Sequence, residues 1–147
     1  MTILAALDED RQSGVLSVAH DLAETYGDDL VVLHVVPKNE FESYKESVQG
    51  IDEFKDLSVT QEIDSAAQFA RRSVSDVLGE FDSDVVTPRG RIGDPADEIL
   101  AEAEKISPRF LVIGAESRSP VGKALFGNTT QTVLLNADVP VVTTLSE

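Results

Sequence analysis

The sequence predicts an α/β fold: one domain over residues 1–147, built on a parallel sheet with helices on both faces. Three observations carry that prediction. Strand-like runs alternate with helical periods along the chain, and parallel neighbours need such crossover connections. The strand-like runs are short and almost continuously apolar, as in strands buried on both faces. The hydrophobic share is 41% of 147 residues, enough for a real core.

Residues 2–8 (Thr-Ile-Leu-Ala-Ala-Leu-Asp) form the first strand. Val15, Val18, Ala19, Leu22 and Tyr26 recur at three- and four-residue spacing, which predicts a helix stopped by Gly27. Leu30 to Val36 is β-branched and apolar, ended by Pro37, and forms the second strand. Ile63, Ala67, Ala70, Val74, Val77 and Phe81 mark a long amphipathic helix from about Thr60 to Phe81. Asp84 to Arg89 makes a weaker third strand. Gly93-Asp94-Pro95 supplies a turn, an N-cap and a first-turn proline, with Asp97 and Glu98 suited to the positive end of the helix that follows. Phe110 to Gly114 is the fourth strand, Asn128 to Asn136 a helix, and Val139 to Thr144 the fifth strand. Lys38 to Leu57 stands apart: it is highly charged, yet Phe41, Tyr44, Val48, Ile51 and Phe54 keep a helical spacing. It reads either as a short surface helix packed on the domain or as a lid over the cleft.

Charge and composition narrow the function. There are 27 acidic and 12 basic residues, for a net charge of −15. The acids are dispersed, so they suggest adaptation to saline surroundings more than a specific basic partner. So negative a surface repels nucleic acid and anionic membrane. No cysteine is present, which excludes disulfides and thiolate metal sites. Zinc would need the distant His20 and His34 plus carboxylates, a poor prospect. The segment from Met1 to Asp8 lacks the basic start of a signal peptide, and no apolar run nears membrane-spanning length, so a cytoplasmic protein is expected. His20 beside apolar helix positions and His34 inside a strand read as packed histidines, with no catalytic triad spacing.

In parallel α/β sheets ligands bind beyond the carboxyl ends of the strands, where strand order reverses. The loops after Asp8, Val36 and Gly114 are therefore the ones to inspect. The last of these is the most informative. Gly114, Gly122 and Gly127 permit turns and close ligand approach, and Asn128, Thr129 and Thr130 open a helix whose free N–H groups favour anions. From Ser117 to Ala137 there is no acid, while Arg118 and Lys123 are basic, a local inversion of sign. The same residues could equally form a plain connector with an ordinary cap. A Walker loop is excluded: Ser117 stands where its first glycine belongs, and Ala124 where its hydroxyl belongs. Asp8 and Glu9 could help hold a metal–nucleotide complex or be simple solvated acids.

Several motifs in order resemble the universal stress protein family. They are the strand ending in Asp8, the His34-Val35-Val36 strand end, Gly93-Asp94-Pro95 and Leu111-Val112-Ile113-Gly114, then the glycine-rich loop with its helix and Ala137-Asp138-Val139-Pro140-Val141-Val142. The resemblance implies a five-stranded parallel sheet in the order 3-2-1-4-5. It also implies a stress-response role and an adenine nucleotide, ATP with or without magnesium, at the strand ends. The family's nucleotide-binding pattern is Gly, two residues, Gly, nine residues, Gly, then Ser, Thr or Asn. Gly114, Gly127 and Asn128 fill it, whereas Ser117 replaces the second glycine. A serine there either crowds the ligand or bonds a phosphate through its hydroxyl. By the same resemblance Asp8 and Val35 flank adenine and ribose, Asn128 and Thr129 face the phosphates, and Val139 to Leu145 pairs two copies into a homodimer. Two alternatives stand beside this reading: a nucleotide-free dimeric interaction module with a degenerate loop, and a weak ATP hydrolase.

Overall fold

A computed structural model describes residues 1–7, 12–37, 52–115 and 127–145. The strands are β1 (Thr2–Leu7), β2 (Asp29–Pro37), β3 (Val86–Gly93), β4 (Phe110–Ala115) and β5 (Val141–Leu145). The helices among the described residues are α1 (Gln12–Tyr26), α2 (Asp52–Leu78), α3 (Pro95–Ile106) and α4 (Asn128–Asn136). All four strand pairings are parallel, and the sheet order is β3-β2-β1-β4-β5, as the sequence implied.

Alternate residues of the central strands feed two cores. Ile3, Ala5, Leu30, Val32 and Val112 pack with Val15, Leu16 and Ala19 of α1 and with Ala70 and Val74 of α2. Leu4, Ala6, Leu33, Leu111 and Ile113 face the other way, onto Ala96, Ile99 and Ala103 of α3 and Val133 of α4. Helices therefore cover both faces, which explains why β1 reads as unbroken apolar sequence.

Helix ends follow the local signals. α1 and α2 stop at Gly27 and Gly79, whose φ values of 67° and 75° a side chain resists. Asp94 caps α3, its side chain accepting the Asp97 N–H at 3.1 Å, with Pro95 at the first helical position. Several boundaries depart from expectation: α2 ends at Leu78 rather than Phe81, β5 begins at Val141 rather than Val139, and the starts of α2 and β3 shift as well. α2 begins at Asp52 rather than near Thr60, so residues 52–57 of the charged segment belong to it; the remainder of that segment lies outside the described residues. β3 begins at Val86 rather than Asp84, because Asp82 to Asp84 form a turn. There the Asp82 side chain accepts the Asp84 N–H at 2.9 Å, and its carbonyl accepts from Val85 and Val86. The strand then runs on to Gly93 through Pro88 and Gly90, which an edge strand tolerates. Gly90 is required by packing: a Cβ there would sit 2.5 Å from the backbone of Ala67 and of Ile63, so α2 rests directly on β3.

Candidate functional site

The order β3-β2-β1-β4-β5 puts the reversal point between β1 and β4, whose pairing runs from Ile3↔Phe110 to Ala6↔Ile113. The carboxyl ends of these strands lead into α1 and towards α4, so both helices begin at this end of the sheet. Of the residues singled out in the sequence, Asp8, Ser117 and Arg118 lie outside the described residues. Val35, Gly114, Gly127, Asn128 and Thr129 are described, and all lie at the carboxyl ends of β2 and β4 or at the start of α4.

Gly114 is the centre of the described part. A Cβ on it would stand 3.3 Å from Val15 Cγ2 and 3.8 Å from Thr144 Oγ1, so its bareness lets β4 run close beneath α1 and beside β5. Its carbonyl accepts a 2.8 Å hydrogen bond from the buried Thr130 hydroxyl, which fastens the first turn of α4 to the end of β4. Gly127 caps that helix without a side-chain hydrogen bond, and the first intrahelical bond runs from Gln131 N–H to its carbonyl at 3.0 Å. The amides of Asn128, Thr129 and Thr130 precede that bond and have no partner within the helix. Asn128 is exposed and Thr129 half-buried, so the opening turn presents short polar groups outward.

Electrostatics favour an anion here. Neither α1 nor α4 has an acid in its first turn, whereas α3 carries Asp97 and Glu98 in its own. Asp8, Glu9 and Asp10 immediately precede α1 in the sequence, so of the two helix starts it is that of α4, inside the acid-free run from Ser117 to Ala137, whose dipole favours an anion.

The β2–β3 flank is different. The Val35 side chain is buried in the core beneath α3, with Ala96 and Ile99, so it can meet a ligand only through its main chain. Across from it in β3, Arg91 bonds Glu98 at 3.2 Å and also the fully buried Glu102. Arg89 holds the other oxygen of Glu102 at 2.6 Å. Burial works against the Arg91 charge, but the two glutamates outweigh it and hold its pKa above the usual guanidinium value. Both arginines are engaged by carboxylates and are not free for a phosphate.

His34 is packed as the sequence suggested, whereas His20 is partly exposed and faces a carboxylate. His34 is buried on the α2 face with its ring 4.3 Å from that of Phe69, and His20 lies 3.4 Å from Glu24 on α1. Sequence reasoning passed over Thr144 and Gly14, which meet at this end: a Cβ on Gly14 would be 3.7 Å from Thr144 Oγ1. The available signal was a glycine in the first turn of a helix, where nothing in the local pattern requires one. Among the described residues no helix is long and apolar enough to cross a membrane.

A family model described as the universal stress protein family matches residues 1–144. Among solved structures, a universal stress protein from Archaeoglobus fulgidus is 25% identical, with 97% of each chain covered and a TM-score of 0.58. Another from that organism, in complex with dAMP, is 21% identical over 97% of this chain and 96% of its own, with a TM-score of 0.53. A universal stress protein in complex with cAMP is 15% identical over 100% of this chain and 98% of its own, with a TM-score of 0.59. No curated protein matches the chain.

Proposed function

The chain belongs to the universal stress protein family, and from that premise we propose that it binds ATP at the carboxyl ends of its strands and acts as a homodimer. The observation that carries the nucleotide reading is the junction at Gly114, where the acid-free start of α4 is tied to a close-packed strand end beneath α1. Unbonded amides of a helix start suit phosphate oxygens, and Asn128 and Thr129 add side-chain donors. Arg118, with its fixed positive charge, would neutralise part of the triphosphate, and the Ser117 hydroxyl would donate to it. Asp8 and the main chain of Val35 would border the nucleoside. Magnesium would arrive with the triphosphate and spread its charge. The fold shared with the dAMP and cAMP complexes supports an adenine nucleotide as the ligand class.

The dimer reading rests on β5. It is an edge strand, paired only with β4, and its described side chains are half-buried. Edge strands of this kind pair readily with a second copy. Nearby on α4, Leu135 is 77% exposed, an apolar surface that a partner would cover.

Calorimetric titration of ATP at molar salt, with a thermal shift on the same sample, tests the site. Saturable heat is expected; no heat and no shift would leave the nucleotide-free interaction module as the function. Light scattering of that sample reads the dimer independently. Hydrolysis would be slow and incidental, and phosphate release above a protein-free blank is the measurement that would establish it.

A further inference from the structure

At the opposite end of the sheet, a cavity of about 430 Å³ opens between the carboxyl ends of α1 and α2 and the amino-terminal starts of β2 and β3. Its volume falls at the small end of the range for small-molecule pockets, roughly 300–1,000 Å³. The floor is apolar, made by Ala23, Leu30, Leu78, Phe81 and Val86. The rim is acidic: Glu24, Asp29, Glu80 and Asp82 are all exposed there. Asp28 also lines the cavity but is committed to Arg109, 2.7 Å from its carboxylate. No lysine or arginine is among the lining residues, and the one basic ring there, His20, lies 3.4 Å from Glu24.

A second source of negative potential is independent of those side chains. α1 and α2 both end at this cavity, and neither carries a basic residue in its last turn, unlike α3 with Lys105. The carbonyl ends of two helices thus add their negative dipole ends to the four carboxylates.

We infer that this cavity binds a small organic cation, an ammonium group carried on an apolar body. The apolar part would cover Leu30, Leu78, Phe81 and Val86, and the ammonium would sit at the rim within reach of Glu24 and Glu80. Both requirements matter: a bare metal ion would leave the floor wet, and an anion or a neutral apolar molecule would waste the field. The site is separate from the nucleotide end and would be occupied independently of it.

The test uses the isotope-labelled full chain in dilute buffer, titrated with 2-phenylethylamine while backbone amide resonances are followed. Saturable shifts are expected at Gly27, Asp29 and Val86. The uncharged 2-phenylethanol should bind roughly tenfold more weakly, because it forgoes the charge interaction. The exposed double substitution Glu24→Gln, Glu80→Gln should weaken the amine by about fivefold or more while leaving the amide spectrum that of a folded chain. Linear, unsaturated shifts, shifts spread over other acidic faces, or equal binding of the alcohol would each overturn the proposal. So would a response to an arginine-bearing peptide with none to the amine.

Discussion

The Thr130 hydroxyl donates a 2.8 Å hydrogen bond to the Gly114 carbonyl, joining two residues on either side of the glycine-rich loop. The bond closes the loop from beneath: whatever conformation residues 116–126 adopt, they leave and return at points held together by it. Replacing Thr130 with Val keeps its shape but removes the bond to this carbonyl, and should cost about 1 kcal/mol. Thr130→Ser should recover most of that. Urea unfolding of the pair reads the difference, and ATP titration of the same proteins should show weaker binding for the valine variant alone.

Gly127 separates a binding role from a backbone role. Its φ of −64° and ψ of 167° are open to any residue, so no conformational need demands glycine there. Gly127→Ala should therefore lose no more than about 1 kcal/mol of stability, the difference between the two as N-caps. If phosphate approaches this main chain closely, ATP affinity should fall by roughly tenfold, the effect of about 1.4 kcal/mol. Calorimetry and denaturation on one sample distinguish the two effects.

Glu102 is fully buried between Arg89 and Arg91. Truncating it strands Arg89 and leaves Arg91 with Glu98 alone, and breaking buried pairs costs about 3–5 kcal/mol. The lower end of that range is expected, because each arginine side chain is about a third exposed and regains water. Glu102→Ala should show it as a lowered urea midpoint. Loss of nucleotide binding beyond that expected from instability would be a surprise, since the network stands on the β3 flank.

The Asp28–Arg109 pair makes stability depend on acid. Its hydrogen bond from Arg109 holds the Asp28 carboxyl below the usual value of 3.8. A depressed folded-state pKa contributes stability that is present above the unfolded value and disappears as pH falls through the folded one. Asp28→Asn should thus lower stability at pH 7 and flatten its decline below about pH 4. Denaturant titrations of both proteins across that interval are the check.

The sheet was legible in the sequence because the central strands are buried on both faces, which leaves nearly continuous apolar runs such as Leu30 to Val36, broken by His34 alone. The α3 start was legible because Asp94 and Pro95 act within one turn. The edges were harder. Pro88 and Gly90 weaken the strand pattern of β3, and only their place beside β2 and beneath α2 makes them acceptable. The start of α2 was placed too late because the helical spacing that includes Phe54 was assigned to a separate charged segment ending at Leu57. At the site, Gly114 and Gly127 could be read from spacing, since a loop and a helix start are local features. The contacts of Thr130 with Gly114 and of Gly14 with Thr144 join remote segments and depend on sheet order. The acidic cavity has the same cause: Glu24 and Glu80 become neighbours only once α1 and α2 lie side by side.

The first strand of the chain stands at the middle of the sheet, with Ile3 beside Leu30 on one side and Phe110 on the other. During synthesis β1 therefore pairs early with β2 but keeps an open edge until β4 has emerged. Long-range pairing of this kind slows folding and leaves a sticky ladder exposed in the interim. A fragment ending before Phe110 would carry that edge permanently and should aggregate. The halves of the protein on either side of residue 110 are thus not independent folding units, however separable their helices look along the chain.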